Sequence, residues 1–248
     1  MALTVLSFCA LTIAGFGLCY TLARRIELKT NAFIHLGLGF FVAVAAIGFI
    51  VSQTGLSISV SSQGILWVSC GAAAVTALGL NRGRGPFRWA GISMSSRVFW
   101  FNAFCLCFVA GYLTLILLSN MSLPVFPWDA FTTWMFRAKA WVTADQAVDF
   151  VTLNEWLVSG SGFTLPAAHY PISISAIAAF AAALSGGWSD QAASIPWFFV
   201  MAASALIMAG LCRLQVPNRP IAASVGTTLL VTSPLVHWHG LLAGYADI

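Results

Sequence analysis

Apolar positions run along this chain in unbroken stretches of about 20 residues, separated by short polar loops and without strand-like alternation. Runs of that length match the hydrocarbon thickness of a bilayer when coiled as α-helices, and the missing alternation argues against a membrane β-barrel. Read in order, the pattern predicts spans over roughly 2–23, 32–51, 60–80 and 98–119. A longer, more polar segment follows, from Asn120 to Tyr170. Pro171–Leu184 is apolar again but only about 14 residues long, short for a crossing. Ser194–Cys212 and Ile221–Val236 complete the series. The expected fold class is all-α, a polytopic transmembrane helical bundle, because lipid offers no hydrogen-bond partner to backbone groups left unpaired.

Composition sharpens this picture. Of 248 residues 60% are hydrophobic and only 7% charged, against about 25% charged in an ordinary soluble domain. The net charge of +4 is small, and the basic residues sit between the apolar runs, which fits membrane topology and not nucleic acid. The six cysteines, Cys9, Cys19, Cys70, Cys105, Cys107 and Cys212, lie inside apolar runs or at their ends. They read as small buried hydrophobes and not as a disulfide framework.

Charge also gives direction. No basic residue precedes the first span, whereas Arg24, Arg25 and Lys29 follow it. That is the reverse of a secretory signal, so the first run is expected to be a retained helix with its N-terminus outside. Arg82, Arg84, Arg88 and Arg97 mark the loop before the fourth span as cytoplasmic. By alternation the 120–170 segment lies outside, and it carries Asp129, Asp145, Asp149 and Glu155, four of the seven acidic residues. If 171–184 crosses, Arg213 and Arg219 fall outside, against the charge rule. If it does not cross, they are cytoplasmic and Asp247 shares a side with Asp129. The second reading is preferred.

The candidate chemistry lies in the outer segment, which opens Pro127-Trp128-Asp129-Ala130-Phe131-Thr132-Thr133-Trp134-Met135-Phe136-Arg137-Ala138-Lys139-Ala140-Trp141. Coiled as a helix from Pro127, it gathers Phe131, Trp134, Met135, Ala138, Trp141 and Val142 on one side. Asp129, Thr133 and Arg137, at i, i+4 and i+8, fall on the other, with Lys139 beside them. An amphipathic helix over 128–142, lying in the outer membrane interface, is therefore expected. Asp129 would serve as a base, or orient an acceptor, beside a cationic phosphate site. The competing reading is a plain surface helix whose Asp faces the helix dipole. His169-Tyr170-Pro171 opens the short apolar stretch, and His169 reads either as a polar cap or as a site residue. His237-x-His239 lacks a third ligand nearby in sequence, so a metal site is not expected. Asp247 comes soon after the last span, near the bilayer, a costly place for an acid unless it works.

These residues resemble the GT-C superfamily of membrane glycosyltransferases, near the bacterial relatives of protein O-mannosyltransferases and lipid A aminoarabinose transferases. The resemblance rests on Trp128-Asp129-Ala130, Arg137-Ala138-Lys139-Ala140, His169-Tyr170-Pro171 and Gly244-Tyr245-Ala246-Asp247. It covers roughly 98–248, the GT-C-like module, and leaves 1–97 as three leading helices with a basic cytoplasmic loop. It implies an enzyme that moves a sugar from a polyprenyl-phosphate carrier to an acceptor at the outer face, here of a bacterial inner (plasma) membrane. Asp129 takes the position of the catalytic carboxylate and Asp247 that of a second acid. Arg137, Lys139, His169 and Tyr170 are the expected substrate-binding residues. Two departures stand out. Ala130 replaces the second acid of a paired signature, and the chain ends one residue after Asp247, where family members continue, so an N-terminal fragment is expected. Two distant carboxylates fit a divalent metal as well as a metal-free site, and the sequence leaves the cofactor open. A transporter or flippase for a lipid-linked substrate would place charges within spans, whereas these lie in loops and at helix ends. A non-catalytic membrane scaffold is the remaining alternative.

Overall fold

A computed structural model describes residues 1–26, 30–53, 57–82, 95–125, 130–165 and 172–243. Among them α1 (Ala2–Arg25), α2 (Ala32–Gln53), α3 (Ile58–Arg82) and α4 (Ser96–Ser122) come first. A π-helical turn, Ala130–Trp134, leads directly into α5 (Met135–Ala144). A two-residue parallel pair, β1 (Phe150–Val151) and β2 (Phe163–Thr164), brackets α6 (Leu153–Ser159). The chain continues through α7 (Ser173–Ala183), α8 (Asp190–Gln215), α9 (Ala222–Thr232) and α10 (Pro234–Leu241). Among the described residues five helices, α1 to α4 and α8, are long and apolar enough to cross a membrane.

The core lies where α1, α2, α7 and α8 meet. Phe8 packs against Phe180 and Phe199 at centroid distances of 5.6 and 5.3 Å, and Phe40 stacks on Phe199 at 6.0 Å. Aromatic pairs at these separations add to the gain from removing their area from solvent. α1 and α2 can approach this closely because Gly15 faces Gly39; a Cβ on Gly15 would overlap the carbonyl of Gly39. Ser173 of α7 lies beside Gly48 of α2, and Ser175 Oγ donates to the Trp134 carbonyl at 2.9 Å. After α7 the chain reverses through Gly186 and Gly187, at φ of 93° and 152°, conformations that favour residues without a Cβ.

Specific contacts show which helix ends lie together. Thr4 Oγ1 donates to Ala181 O at 3.2 Å, Ile58 N to Asp145 O at 3.0 Å, and Val125 N to an Asp190 carboxylate oxygen at 3.2 Å. One end of the bundle therefore holds the starts of α1, α3 and α8, the exit of α4, and α5 and α7. At the other end Asn31 Nδ2 donates to Gly210 O at 2.8 Å, Arg213 lies 4.6 Å from the Phe33 ring centroid, and Ser224 Oγ donates to Asn102 Oδ1 at 2.6 Å. That end holds the starts of α2, α4 and α9. Arg24, Arg25, Arg97, Arg213 and Arg219 belong to it, whereas Asp145, Asp149, Glu155 and Asp190 belong to the first. The two are the basic and the acidic end.

The short apolar stretch that sequence left open forms α7, and both its ends touch the acidic end, at Trp134 and at Thr4. The final expected span, 221–236, is two helices. Ser233 is extended (ψ 137°) before Pro234, which opens α10 at its first turn; a residue before proline is pushed out of helical geometry, and the proline then suits a new N-terminus. Together α9 and α10 run from Asn102 at the basic end to Ala243, which sits beside Asn120 and Leu123 at the acidic end.

The expected two-sided helix over 128–142 needs correction where it is described. Residues 130–144 are helical, but Thr133 and Arg137 are buried, as are Ala130, Trp134, Met135, Ala138 and Trp141, while Phe131 and Phe136 are exposed. The reason is cover: α7 packs on one side of α5, and the β1 segment brings Phe150 over Arg137. In this segment α6 also exposes apolar surface, through Leu153, Leu157 and Val158.

Candidate functional site

The acidic end gathers the described part of the site. Its frame is α5, entered through the π-helical turn that follows directly on position 129; single π turns widen a helix locally and recur at functional positions. α5 stops at Asp145, which takes the left-handed conformation (φ 52°). The Asp145 carboxylate then accepts from Ser57 Oγ at 2.6 Å, Ser59 Oγ at 2.6 Å and Ser59 N at 2.8 Å. These bonds, the Ser57 hydroxyl foremost, hold its pKa below the ordinary aspartate value. They also cap the start of α3 from a residue far along the chain, so α5 is tied to the bundle at both ends. Trp141 Nε1 donates to Val148 O at 2.8 Å and fixes the turn that returns the chain over the helix.

That turn delivers β1. Its Phe150 lies 5.9 Å from Phe163 of β2, 6.0 Å from Phe136, and 5.6 Å from the Arg137 guanidinium carbon. Arg137 is only 2% exposed. Burial pushes its pKa down, but an arginine starts so high that it keeps its charge. This end therefore contains a buried cation lying against an aromatic ring. Lys139, two residues on, is exposed.

Of the six residues singled out in the sequence, Arg137 and Lys139 are described. Asp129, His169, Tyr170 and Asp247 lie outside the described residues. The chain on either side of them is at the acidic end: Val125 and Ala130 flank the first, and Ala243 precedes the last. Ala130 and Ala243 belong to the same buried core cluster as Met135, Ala138 and Trp141.

Two residues were missed. Asp190 was unremarked, yet its carboxylate accepts from Trp188 Nε1 at 2.7 Å and from Val125 N at 3.2 Å, holding the exit of α4 to the start of α8. Asn120 was read only as the start of a polar segment. It is 2% exposed, and neither its amide oxygen nor its amide nitrogen has a hydrogen-bond partner. It lines a small cavity of about 10 Å³, the size of a single water, with Leu123, Pro124, Val125, Ser194, Leu241 and Ala243. A polar residue in the last turn of an apolar helix was the available signal. The His237-x-His239 pair is engaged within the bundle: His237 Nδ1 bonds the Tyr112 hydroxyl of α4, and His239 Nδ1 donates to Leu235 O at 2.7 Å. Among the described residues no group of three His, Cys, Asp or Glu side chains is arranged for a metal ion.

No family model, curated protein or solved structure matches this chain.

Proposed function

We propose that this chain is a membrane glycosyltransferase of the GT-C kind, moving a sugar from a polyprenyl-phosphate carrier to an acceptor on the outer face of a bacterial inner membrane. The charge rule sets the basic end in the cytoplasm and the acidic end outside. The observation that carries the reading is the buried guanidinium of Arg137 at the acidic end, eight residues after Asp129 in one continuous stretch of chain. Ala130 and Ala243, which border the two acidic segments, are both buried, and Ala243 lines a cavity with Val125, and this supports a site that draws on both.

In this reading Asp129 takes the proton from an acceptor hydroxyl as that oxygen bonds to the anomeric carbon. The bond from that carbon to the carrier phosphate oxygen breaks, and the phosphate leaves with its negative charge. Arg137 stabilises that charge, with Lys139 and His169 assisting. Because Arg137 is dehydrated and fixed, its field is stronger than that of a flexible surface lysine. Asp247 orients the acceptor, and Tyr170 contacts the sugar.

The test uses the full chain in lipid nanodiscs, with polyprenyl-phosphate mannose and polyprenyl-phosphate aminoarabinose as donors. Asp129→Asn is expected to lower sugar transfer by about 10²-fold or more while donor binding stays within about twofold. Arg137→Gln is expected to weaken donor binding as well. Unchanged transfer in Asp129→Asn would remove the catalytic assignment. A wild-type chain that only translocates the intact donor would favour a flippase, and one that binds neither donor would favour a scaffold.

A further inference from the structure

We infer that the basic end is a docking surface for the phosphodiester headgroups of anionic phospholipids, with Arg24 and Arg213 as its two fixed contacts. The inference stands whether or not the chain transfers sugars. Charge comes first. Arg24, Arg25, Arg97, Arg213 and Arg219 are exposed at this end. The described carboxylates, Asp145, Asp149, Glu155 and Asp190, all belong to the other end, so among the described residues no carboxylate stands beside these arginines. The chain that joins these helices adds Glu27 but also Lys29, Arg84 and Arg88, and the balance stays strongly positive. The anion that meets this charge comes from outside the chain. The adjoining leaflet supplies it, because the charge rule sets this end in the cytoplasm and the cytoplasmic leaflet carries anionic lipid.

Two of the arginines are held in place around the start of α2. The Arg213 guanidinium carbon, in the last turn of α8, lies 4.6 Å from the Phe33 ring centroid. The Arg24 guanidinium carbon, at the end of α1, lies 5.9 Å from the Tyr20 ring centroid, and the Tyr20 ring meets His35 edge-on at 5.8 Å. Phe33 and His35 both belong to the first turn of α2. Positions two apart on a helix point about 200° apart round its axis. One guanidinium therefore reaches α2 from the α8 side and the other from the α1 side. Thr30 and Asn31 lock the junction: Thr30 Oγ1 hydrogen-bonds His35 Nε2, and Asn31 Nδ2 donates to Gly210 O at 2.8 Å. A guanidinium already resting on a ring loses little freedom on binding, and its N–H fork fits two oxygens of a phosphodiester. Apolar surface adjoins each cation. Leu22 and Ile26 lie within two residues of Arg24, Leu211 and Leu214 within two residues of Arg213, and all four are exposed. A phospholipid matches both parts, phosphate on the arginine and acyl chains on the apolar surface, whereas a free phosphate uses only the first.

The test adds phosphatidylglycerol, phosphatidylcholine with the same acyl chains, or inorganic phosphate to the full chain in a neutral detergent. Thermal melting and lipid adducts in native mass spectrometry are the readouts. Phosphatidylglycerol is expected to raise the melting temperature, and the effect should fade as salt approaches about 1 M, where exposed charges are screened. Phosphatidylcholine and inorganic phosphate should leave it unchanged. Arg24→Gln and Arg213→Gln should each weaken phosphatidylglycerol binding about fivefold. Arg97→Gln and Arg219→Gln remove the same charge from the same end, but neither arginine is held against a described ring, and both should stay within about twofold of wild type. Arg213→Lys keeps the charge and gives up the fork and the ring contact, and should also bind more weakly than wild type. All four side chains are exposed, and melting in phosphatidylcholine alone checks that each variant folds. Equal losses in the four glutamine variants would reduce the surface to a diffuse field and overturn the two-contact site. Equal stabilisation by phosphatidylcholine or by inorganic phosphate would overturn anionic lipid as its occupant.

Discussion

α7 and α4 are both apolar in sequence and occupy opposite surroundings. Every residue of α7 from Ser175 to Ala182 is buried. Along the 27 residues of α4 only Cys105, Val109, Ile116 and Asn120 are buried, and just 17% of its most apolar stretch is covered by protein. Size separates them: α7 is mostly alanine and serine, with only Ile174, Ile177 and Phe180 as larger residues, whereas α4 shows Trp100, Phe104, Leu106, Leu115 and Leu118 outward. Apolarity says only that a segment avoids water. Small residues mark where other helices close in, and large ones mark the surface left to lipid, because helices in a bilayer associate through close packing and not through escape from water.

The sharpest break in that contrast is at Gly15. A side chain there meets the Gly39 backbone, which cannot rotate aside, so Gly15→Leu should force α1 from α2 and abolish monodisperse folded protein on size exclusion in detergent. Ala179→Leu comes next. Its site is 0% exposed, and overpacking there should cost about 1–3 kcal/mol, seen as a clear drop in melting temperature. A smaller effect is expected at the clamp that holds α5 to α3. Asp145→Asn loses its acceptor strength toward Ser57 and Ser59 and should lower the melting temperature modestly at neutral pH. Because the folded-state pKa of Asp145 is depressed, its stabilisation is complete above the ordinary aspartate value of about 3.9 and fades as pH falls through the lower folded value. The melting temperatures of wild type and Asp145→Asn should therefore converge toward acid pH, and a constant difference would exclude the carboxylate as cause. Least of all should change on the lipid-facing side. Leu106→Ala, 69% exposed, should stay within about 0.5 kcal/mol.

The sequence was readable where length and charge decide. The first four spans were placed within a few residues of α1 to α4, and Arg24, Arg25, Arg97, Arg213 and Arg219 fall at the end opposite Asp145, Asp149, Glu155 and Asp190, with Arg137 and Lys139 on the acidic side. It was less readable where a neighbour decides. A helical wheel separated Arg137 from the aromatic side of α5, but only α7 and Phe150, brought in by distant chain, determine that this side is covered too. Pro234 was visible inside an expected span, yet whether a proline kinks a helix or divides it depends on what surrounds the freed backbone. Asn120 looked like the edge of a loop because its burial comes from residues more than seventy positions later, Ser194, Leu241 and Ala243.

The central claim is that the acidic end assembles one site from two segments 118 positions apart, those of Asp129 and Asp247. The separation of these two positions tests it most directly. Spin labels at 129 and 247, with Cys9, Cys19, Cys70, Cys105, Cys107 and Cys212 replaced, report it in nanodiscs by pulsed dipolar spectroscopy. Groups that share one ligand pocket lie within about 15 Å, so an interlabel distribution centred below about 20 Å is predicted. A distribution centred near or beyond about 30 Å, the thickness of the hydrocarbon layer, would set the two acids on opposite faces and contradict the account.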